Sequence, residues 1–213
     1  MTPNFHLSML LLFLVSYLLG SIPFGLILAK LFGGADVRKA GSGNIGATNV
    51  LRVAGPAAGV LTLLLDAGKG WFAVWLAGRV MHGEAGFMVI AGFFVLLGHC
   101  FSVWLKFRGG KGVATAAGVF GALCPEAMLG ALILFAVVAW FWRYISLASL
   151  AAAAAIPLLI YFLWAPHFAP PNIVTFGSLA IAAAVIFQHH ANIGRLAKGE
   201  EPKFSLSKKR DQA

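Results

Sequence analysis

Residues 105–123 read LKFRGGKGVATAAGVFGAL, and how this stretch is counted decides the fold. Its first seven residues carry Lys106, Arg108 and Lys111 around two glycines. The remaining part, Gly112–Leu123, is apolar but only about 18 Å long at the helical rise of about 1.5 Å per residue. A bilayer core takes about 20 apolar residues to cross. This piece is therefore a short buried helix, a re-entrant segment, or the first half of one broken span.

Apolar runs of spanning length flank it on both sides. Leu7–Leu31, Gly55–Ala77 and Ala85–Trp104 precede it; Ala127–Trp142, Leu147–Trp164 and Ile173–Gln188 come after it. The whole chain of 213 residues is 60% hydrophobic and 11% charged. Soluble domains carry about 25% charged residues, so a water-facing surface is excluded. The expectation is an all-α membrane helix bundle forming one domain over residues 1–213.

Charge placement settles the count. The segments 32–54, 105–111 and 143–146 and the stretch from His189 onward hold nearly all of the 16 Lys and Arg residues. Arg79 alone lies in the alternate loops, and Lys69 falls inside a span. If Gly112–Leu123 crosses, the basic segments share one side, which the positive-inside rule makes cytoplasmic. Seven spans with the amino terminus outside and the carboxyl terminus inside is the consistent reading; six would put Arg143 on the poor side. The first run is longer than a signal-peptide core and no positive charge precedes it, so it reads as a retained helix. Residues 196–213 read as a polar cytoplasmic tail. The net charge of +9 fits this membrane pattern, and no nucleic acid partner is expected. Cys100 and Cys124 lie in apolar runs without ligand spacing, which favours packing over a disulfide or thiolate site.

Two of the basic segments are glycine-rich. The first reads Gly41-Ser42-Gly43-Asn44-Ile45-Gly46-Ala47-Thr48-Asn49 and is followed by Arg52; the second is Lys106–Gly112. Glycine lets backbone N–H groups converge on a ligand while Lys or Arg supplies charge, a combination suited to phosphate. Ser42, Asn44, Asn49, Arg52, Gly109, Gly110 and Lys111 are the candidate substrate contacts. A single such loop is as readily a tight turn plus a topology signal; two on one side favour a site. Neither matches GxxxxGK[ST], so a nucleotide is not implied. A third cluster, His189-His190-Ala191-Asn192-Ile193-Gly194-Arg195, leads on to Glu200 and Glu201. His189 and Asn192 share a helix face if the last span extends that far. Within the second span Asp66 and Lys69 are one helical step apart, and a mutually neutralising pair is expected there. Ser146 and Ser149 stand one step apart after Arg143. No HxxxxD, GxSxG or HExxH arrangement occurs, so a Ser triad or metal mechanism lacks its parts.

The blocks GSGNIGATN with Arg52, GHCFSVWLKFRGGKGVAT and HHANIGRLAKGEE resemble the three motifs of the acyl-phosphate:glycerol-3-phosphate acyltransferase family of bacterial phospholipid synthesis. The similarity runs through the whole chain. It implies a multi-pass enzyme of the bacterial inner membrane with its motifs at the cytoplasmic face. The implied reaction moves a fatty acyl group from acyl phosphate to the 1-hydroxyl of glycerol 3-phosphate, giving lysophosphatidic acid and inorganic phosphate, without cofactor or metal. By motif position, Ser42 and Arg52 bind polar substrate, Gly109, Gly110 and Lys111 form a phosphate loop, and His189 and Asn192 lie at the reacting centre. Ser42, Lys111, His189 and Asn192 are thus the implied catalytic set. Ser149 is a further substrate contact outside the blocks, and Glu200 or Glu201 supplies a structural carboxylate. His189 is either a general base or an orienting group, with a substrate phosphate taking the proton. The expected partners are the two substrates and membrane lipid, with the protein a monomer. Two rival classes remain: a transporter of an anionic lipid precursor, which wants polar groups near mid-bilayer and often repeats, and a scaffold whose basic loops hold anionic headgroups.

Overall fold

The structure, a computed structural model, describes residues 3–33, 36–164 and 172–204. The expected outer loop around residues 165–171 and the end of the tail, residues 205–213, lie outside them. Among the described residues every regular element is helical.

The first expected span is two helices, α1 (Pro3–Ser21) and α2 (Phe24–Gly33). Pro23 causes the break, since it has no N–H to donate and disfavours helical geometry at Ile22. The pair nevertheless forms one apolar run, Phe5–Gly33. After the first glycine loop come α3 (Ala47–Ala54) and α4 (Pro56–Val80), separated by Gly55 at φ +93°. Next are α5 (Ala85–Cys100), a 3₁₀ turn at Val103–Leu105 and the short α6 (Val113–Leu123). The remainder is α7 (Pro125–Trp142), α8 (Ile145–Trp164), α9 (Asn172–Gln188) and α10 (His190–Ala197). The chain turns by 60° between α9 and α10, so the last span does not run straight through His189.

Among the described residues five helical runs, the α1–α2 pair counted as one, are long and apolar enough to cross a membrane, or six if α9 and α10 make one broken span. The burial pattern is that of a protein solvated by hydrocarbon. Leu64, Phe162, Phe176 and Trp140 are 60–81% exposed, whereas Asp66, Lys69, His99 and His189 are at most 4% exposed. An apolar surface of this kind would aggregate in water.

α6 sits in the middle of the bundle, where Ala116, Val119 and Phe120 pack with Val74 of α4 and Val95 and Leu96 of α5. The backbones come very close. A Cβ on Gly118 would stand 1.8 Å from the Ala67 carbonyl oxygen, and one on Gly70 would stand 2.2 Å from that of Thr115. α1 and α5 are stitched the same way, at Gly20 against Val95 and Gly98 against Tyr17. Between membrane helices, where hydrophobic burial gives little preference, such small-residue contacts supply the dispersion energy of association. The Gly70–Thr115 contact also fixes depth. The start of α6 is level with residues 66–70, roughly 15–21 Å along α4 from Pro56 at the helical rise. α6 is short because the glycine loop before it is recessed.

Candidate active site

All the basic segments meet at one end of the bundle, and the glycine loops owe their shapes to that meeting. The first loop is organised by Asn49, which is buried at the start of α3. Its Nδ2 donates to the carbonyls of Val37, Ala40 and Asn44, at 3.0, 3.1 and 2.8 Å, and its Oδ1 accepts the Ser42 N–H at 2.9 Å. Asn44 Oδ1 accepts the Gly46 N–H at 3.0 Å. Asn49 is thus saturated within its own loop, while the Ser42 side chain is exposed at the tip. Gly41 and Gly43 take φ +60° and +71°, which a side-chain-bearing residue enters only under strain. α3 then places Arg52, also exposed, one turn beyond.

The second loop leaves the end of α5 and folds back on it. Gly109 donates its N–H to the Cys100 carbonyl at 2.9 Å, and Gly110 donates to that of His99 at 3.0 Å. Their N–H groups are therefore spent on α5, and the glycines are needed for proximity. A Cβ on Gly110 would lie 2.3 Å from His99 Nε2, and one on Gly109 would lie 2.0 Å from the His99 carbonyl oxygen. The next helix start has no side-chain cap, so the first-turn N–H groups of α6 have no intrahelical acceptor and carry its positive dipole end.

Lys111 is lifted out of this turn toward α10. Its Nζ donates to Asn192 Oδ1, across 81 residues of sequence. Asn192 Nδ2 donates to Glu201 Oε1 at 2.6 Å, and Arg195 Nε donates to Glu201 Oε2 at 2.7 Å. The Ser146 hydroxyl, buried at the start of α8, stands beside Glu201 without the geometry of a regular hydrogen bond. Ser149 is one turn further, its hydroxyl donating to the Ile145 carbonyl at 2.8 Å. The Phe204 N–H donates to the Arg143 carbonyl at 2.6 Å and closes the segment over the site.

The electrostatics are those of a site suited to anions. Burial lowers the Lys111 pKa, Glu201 opposes that shift, and Arg195 and Arg52 add to it. Arg52 thus acts on Lys111 although it belongs to the other loop. Burial pushes the Glu201 carboxyl up, but the nearby Ser146 hydroxyl and the bonds from Asn192 and Arg195 outweigh it and hold the carboxyl below the ordinary range. Lys111, Arg52 and Arg195 face one carboxylate, leaving a surplus of positive charge. His189 is also buried, and its Nδ1 lies 2.8 Å from the Val185 carbonyl oxygen. A carbonyl only accepts, so the proton sits on Nδ1 and Nε2 keeps its lone pair. Burial lowers the His189 pKa below 6.5, with Lys111 adding to the shift, so the ring is neutral at pH 7.

Of the candidate residues, the fold joins Lys111 directly to Asn192 and brings Arg52 and His189 within electrostatic reach of Lys111. Ser42, Asn44 and Asn49 belong to the neighbouring loop, and Gly109 and Gly110 anchor the Lys111 turn. Glu201, not the exposed Glu200, holds Asn192 and Arg195. Arg195 lies in the third block with no role expected of it, and sequence reasoning misses His99 altogether. The one signal for His99 is its place in the second block, ahead of the loop that carries Lys111. Among the described residues no group of three or more His, Cys, Asp and Glu side chains is placed to hold a metal.

The family described as "Glycerol-3-phosphate acyltransferase" matches residues 10–199. A glycerol-3-phosphate acyltransferase of Syntrophotalea carbinolica is 48% identical over 200 residues, 92% of this chain and 98% of that protein. One from Trichlorobacter lovleyi is 53% identical over 189 residues, 89% of this chain and 94% of that one. Two crystal structures of PlsY (YgiH), an integral membrane glycerol 3-phosphate acyltransferase, are similar throughout. Its glycerol 3-phosphate form superposes with a TM-score of 0.85 at 40% identity, over 93% of this chain and 96% of that one. Its lysophosphatidic acid form gives 0.83 at the same identity and coverage.

Proposed function

The chain belongs to the glycerol-3-phosphate acyltransferase family, and from that premise we propose that it moves a fatty acyl group from acyl phosphate to the 1-hydroxyl of glycerol 3-phosphate. The observation that carries the reading is the Lys111–Asn192–Glu201–Arg195 chain with neutral His189 beside it. It is a recess with surplus positive charge, suited to two phosphates that would otherwise repel each other.

The donor is an activated mixed anhydride, so it needs no covalent enzyme intermediate. The 1-hydroxyl oxygen attacks the carbonyl carbon, the bond from that carbon to the bridging oxygen breaks, and phosphate departs. Without a proton it would leave as a trianion; the hydroxyl proton therefore ends on the leaving phosphate. His189 Nε2 accepts the hydroxyl hydrogen bond while the oxygen is aimed, and as the new C–O bond forms that proton passes to the leaving phosphate. Lys111 and the start of α6 meet the donor phosphate, where charge grows in the transition state. Arg52, with Ser42 and Asn44 at the loop tip, meets glycerol 3-phosphate. Asn192 orients Lys111, and Glu201 orients Asn192. Asn49 acts on substrate by shaping its loop, Gly109 and Gly110 by seating Lys111, and Ser149 through the helix end that presents Ser146. Simultaneous binding replaces an encounter between two like-charged solutes with a reaction inside one complex.

The recessed start of α6 also suits a donor whose head is ionic and whose tail is not, because the acyl chain passes directly between helices. We take α6 as the seventh crossing, its length made up by the loop before it, with the amino terminus outside. The site then faces the cytoplasm of the bacterial inner membrane, the side favoured by the basic segments, and one chain holds every group named, as a monomer would.

Purified protein in lipid, given labelled glycerol 3-phosphate with palmitoyl phosphate, palmitoyl-CoA or palmitoyl carrier protein, tests the donor. Lysophosphatidate from the acyl phosphate alone is expected; product from a thioester refutes the donor assignment.

A further inference from the structure

Behind the second glycine loop lies a buried ionic cluster, separate from the Lys111–Asn192–Glu201–Arg195 chain of contacts. Asp66 Oδ1 stands 2.8 Å from Lys69 Nζ and 3.6 Å from His99 Nδ1, with all three side chains at most 4% exposed. Lys69 also donates to the Ile22 carbonyl at 3.0 Å, in the break between α1 and α2. Its ammonium lies 5.6 Å from the Phe24 ring centroid. Asp66 Oδ1 reaches Lys69 and His99 Nδ1 without regular hydrogen-bond geometry, and the Ser21 and Thr115 hydroxyls are also buried without partners. A buried ion pair with imperfect geometry is a poor source of stability compared with apolar packing. Its effect is to be sought in what it holds in place.

It holds both loops. His99 takes the Gly110 N–H on its carbonyl, and its ring fills the space a Gly110 side chain would need, at 2.3 Å from Nε2. Any shift of His99 therefore shifts the turn that carries Lys111. On the other side Lys69 fixes the break that launches α2, and α2 lies directly on the first loop. A Cβ on Gly25 would stand 1.8 Å from the Ile45 carbonyl oxygen and 3.1 Å from Val50 Cγ2. We propose that Asp66, Lys69 and His99 are positioning residues that set the spacing between the two glycine-rich loops, and so between the two bound phosphates. This rests on the reading that each loop serves one phosphate. A reaction between two separately held groups is sensitive to their spacing even when each still binds.

The test is the double variant Asp66→Asn/Lys69→Met, which removes both charges together and leaves neither buried alone. kcat, both KM values and the melting temperature are measured in the same lipid, beside the wild type. The expected result is a folded protein with kcat down at least about 10-fold and each KM within about 3-fold, the signature of lost transition-state registry. Lys69→Arg, which keeps the charge and the donor to Ile22, should recover much of that loss. A folded double variant with wild-type kcat overturns the proposal, as does a loss seen only in KM. Should the double variant not fold, the cycle of His99→Ala and Gly110→Ala decides. Losses that fail to add support a shared contact, and additive losses overturn it. Wild-type turnover separates the two readings, since inactive wild type with acyl phosphate would sink the donor assignment and leave the cycle testable with whichever donor works.

Discussion

Lys111→Met removes one positive charge from the recess and one partner from Asn192 Oδ1. Two effects set the size. An ammonium about 4 Å from a unit of phosphate charge gains about 4 kcal/mol at an effective dielectric constant near 20. Removing a donor aimed at charge that develops in a transition state costs roughly 10²–10³ in rate, or about 3–4 kcal/mol. The two estimates describe the same interaction and agree, so kcat/KM for the acyl phosphate should fall by about 10²–10³. The fold should survive. Burial already disfavours the charged form of Lys111, so a methionine there relieves a desolvation penalty. The assay is lysophosphatidate formation over a range of palmitoyl phosphate at saturating glycerol 3-phosphate, with a melting curve on the same preparation. Lys111→Arg should fall between the two, since it keeps the charge but not the ammonium's reach to Asn192. A folded Lys111→Met enzyme that keeps more than about a third of wild-type kcat/KM would refute the assignment of Lys111 to the donor phosphate.

Activity should decline in acid as His189 gains a proton, and burial places that limb below pH 6.5; His189→Gln, which retains an acceptor, should lose less than His189→Ala and abolish the part of the limb that does not belong to substrate. Glu201→Gln should lower kcat by about 10-fold through disordered Asn192 and Lys111, measured beside an unchanged helical circular dichroism spectrum. The Glu201 carboxyl has a folded pKa below its ordinary 4.5, so its stabilisation is complete above that value and lost as pH falls through the lowered one. Melting temperatures of wild type and Glu201→Gln should therefore converge in acid. Gly118→Val should yield no folded protein in detergent, because its Cβ would lie 1.8 Å from the Ala67 carbonyl oxygen; a normal yield and gel-filtration profile would contradict the close α4–α6 contact.

Long apolar runs are local signals, so an all-helical membrane chain was legible without coordinates. The three motif blocks stood out because two glycine-rich basic loops and a His-Asn cluster are uncommon together in so apolar a chain, and the fold brings Lys111 of the second block against Asn192 of the third. What stayed hidden was non-local. Gly109 and Gly110 invite the reading of free N–H donors, and only the returning path of the loop reveals that α5 carbonyls consume them. Glu200 and Glu201 are equivalent as letters; the turn after α10 points one at Asn192 and leaves the other in solvent. Pro23 was visible, but the apolar run around it masked the break that Lys69 uses. His99 closes an apolar helix and gives no local sign of a role, because its partner Asp66 lies 33 positions away in the sequence.

The central claim is that both phosphates occupy the recess together and the acyl group passes directly between substrates. Rapid-quench mixing of enzyme with acyl phosphate, first without and then with glycerol 3-phosphate, tests it most directly. Direct transfer predicts no burst of inorganic phosphate until the acceptor is present, and no acyl group on the protein. A burst stoichiometric with enzyme in the absence of acceptor, with label retained on the chain, would contradict it.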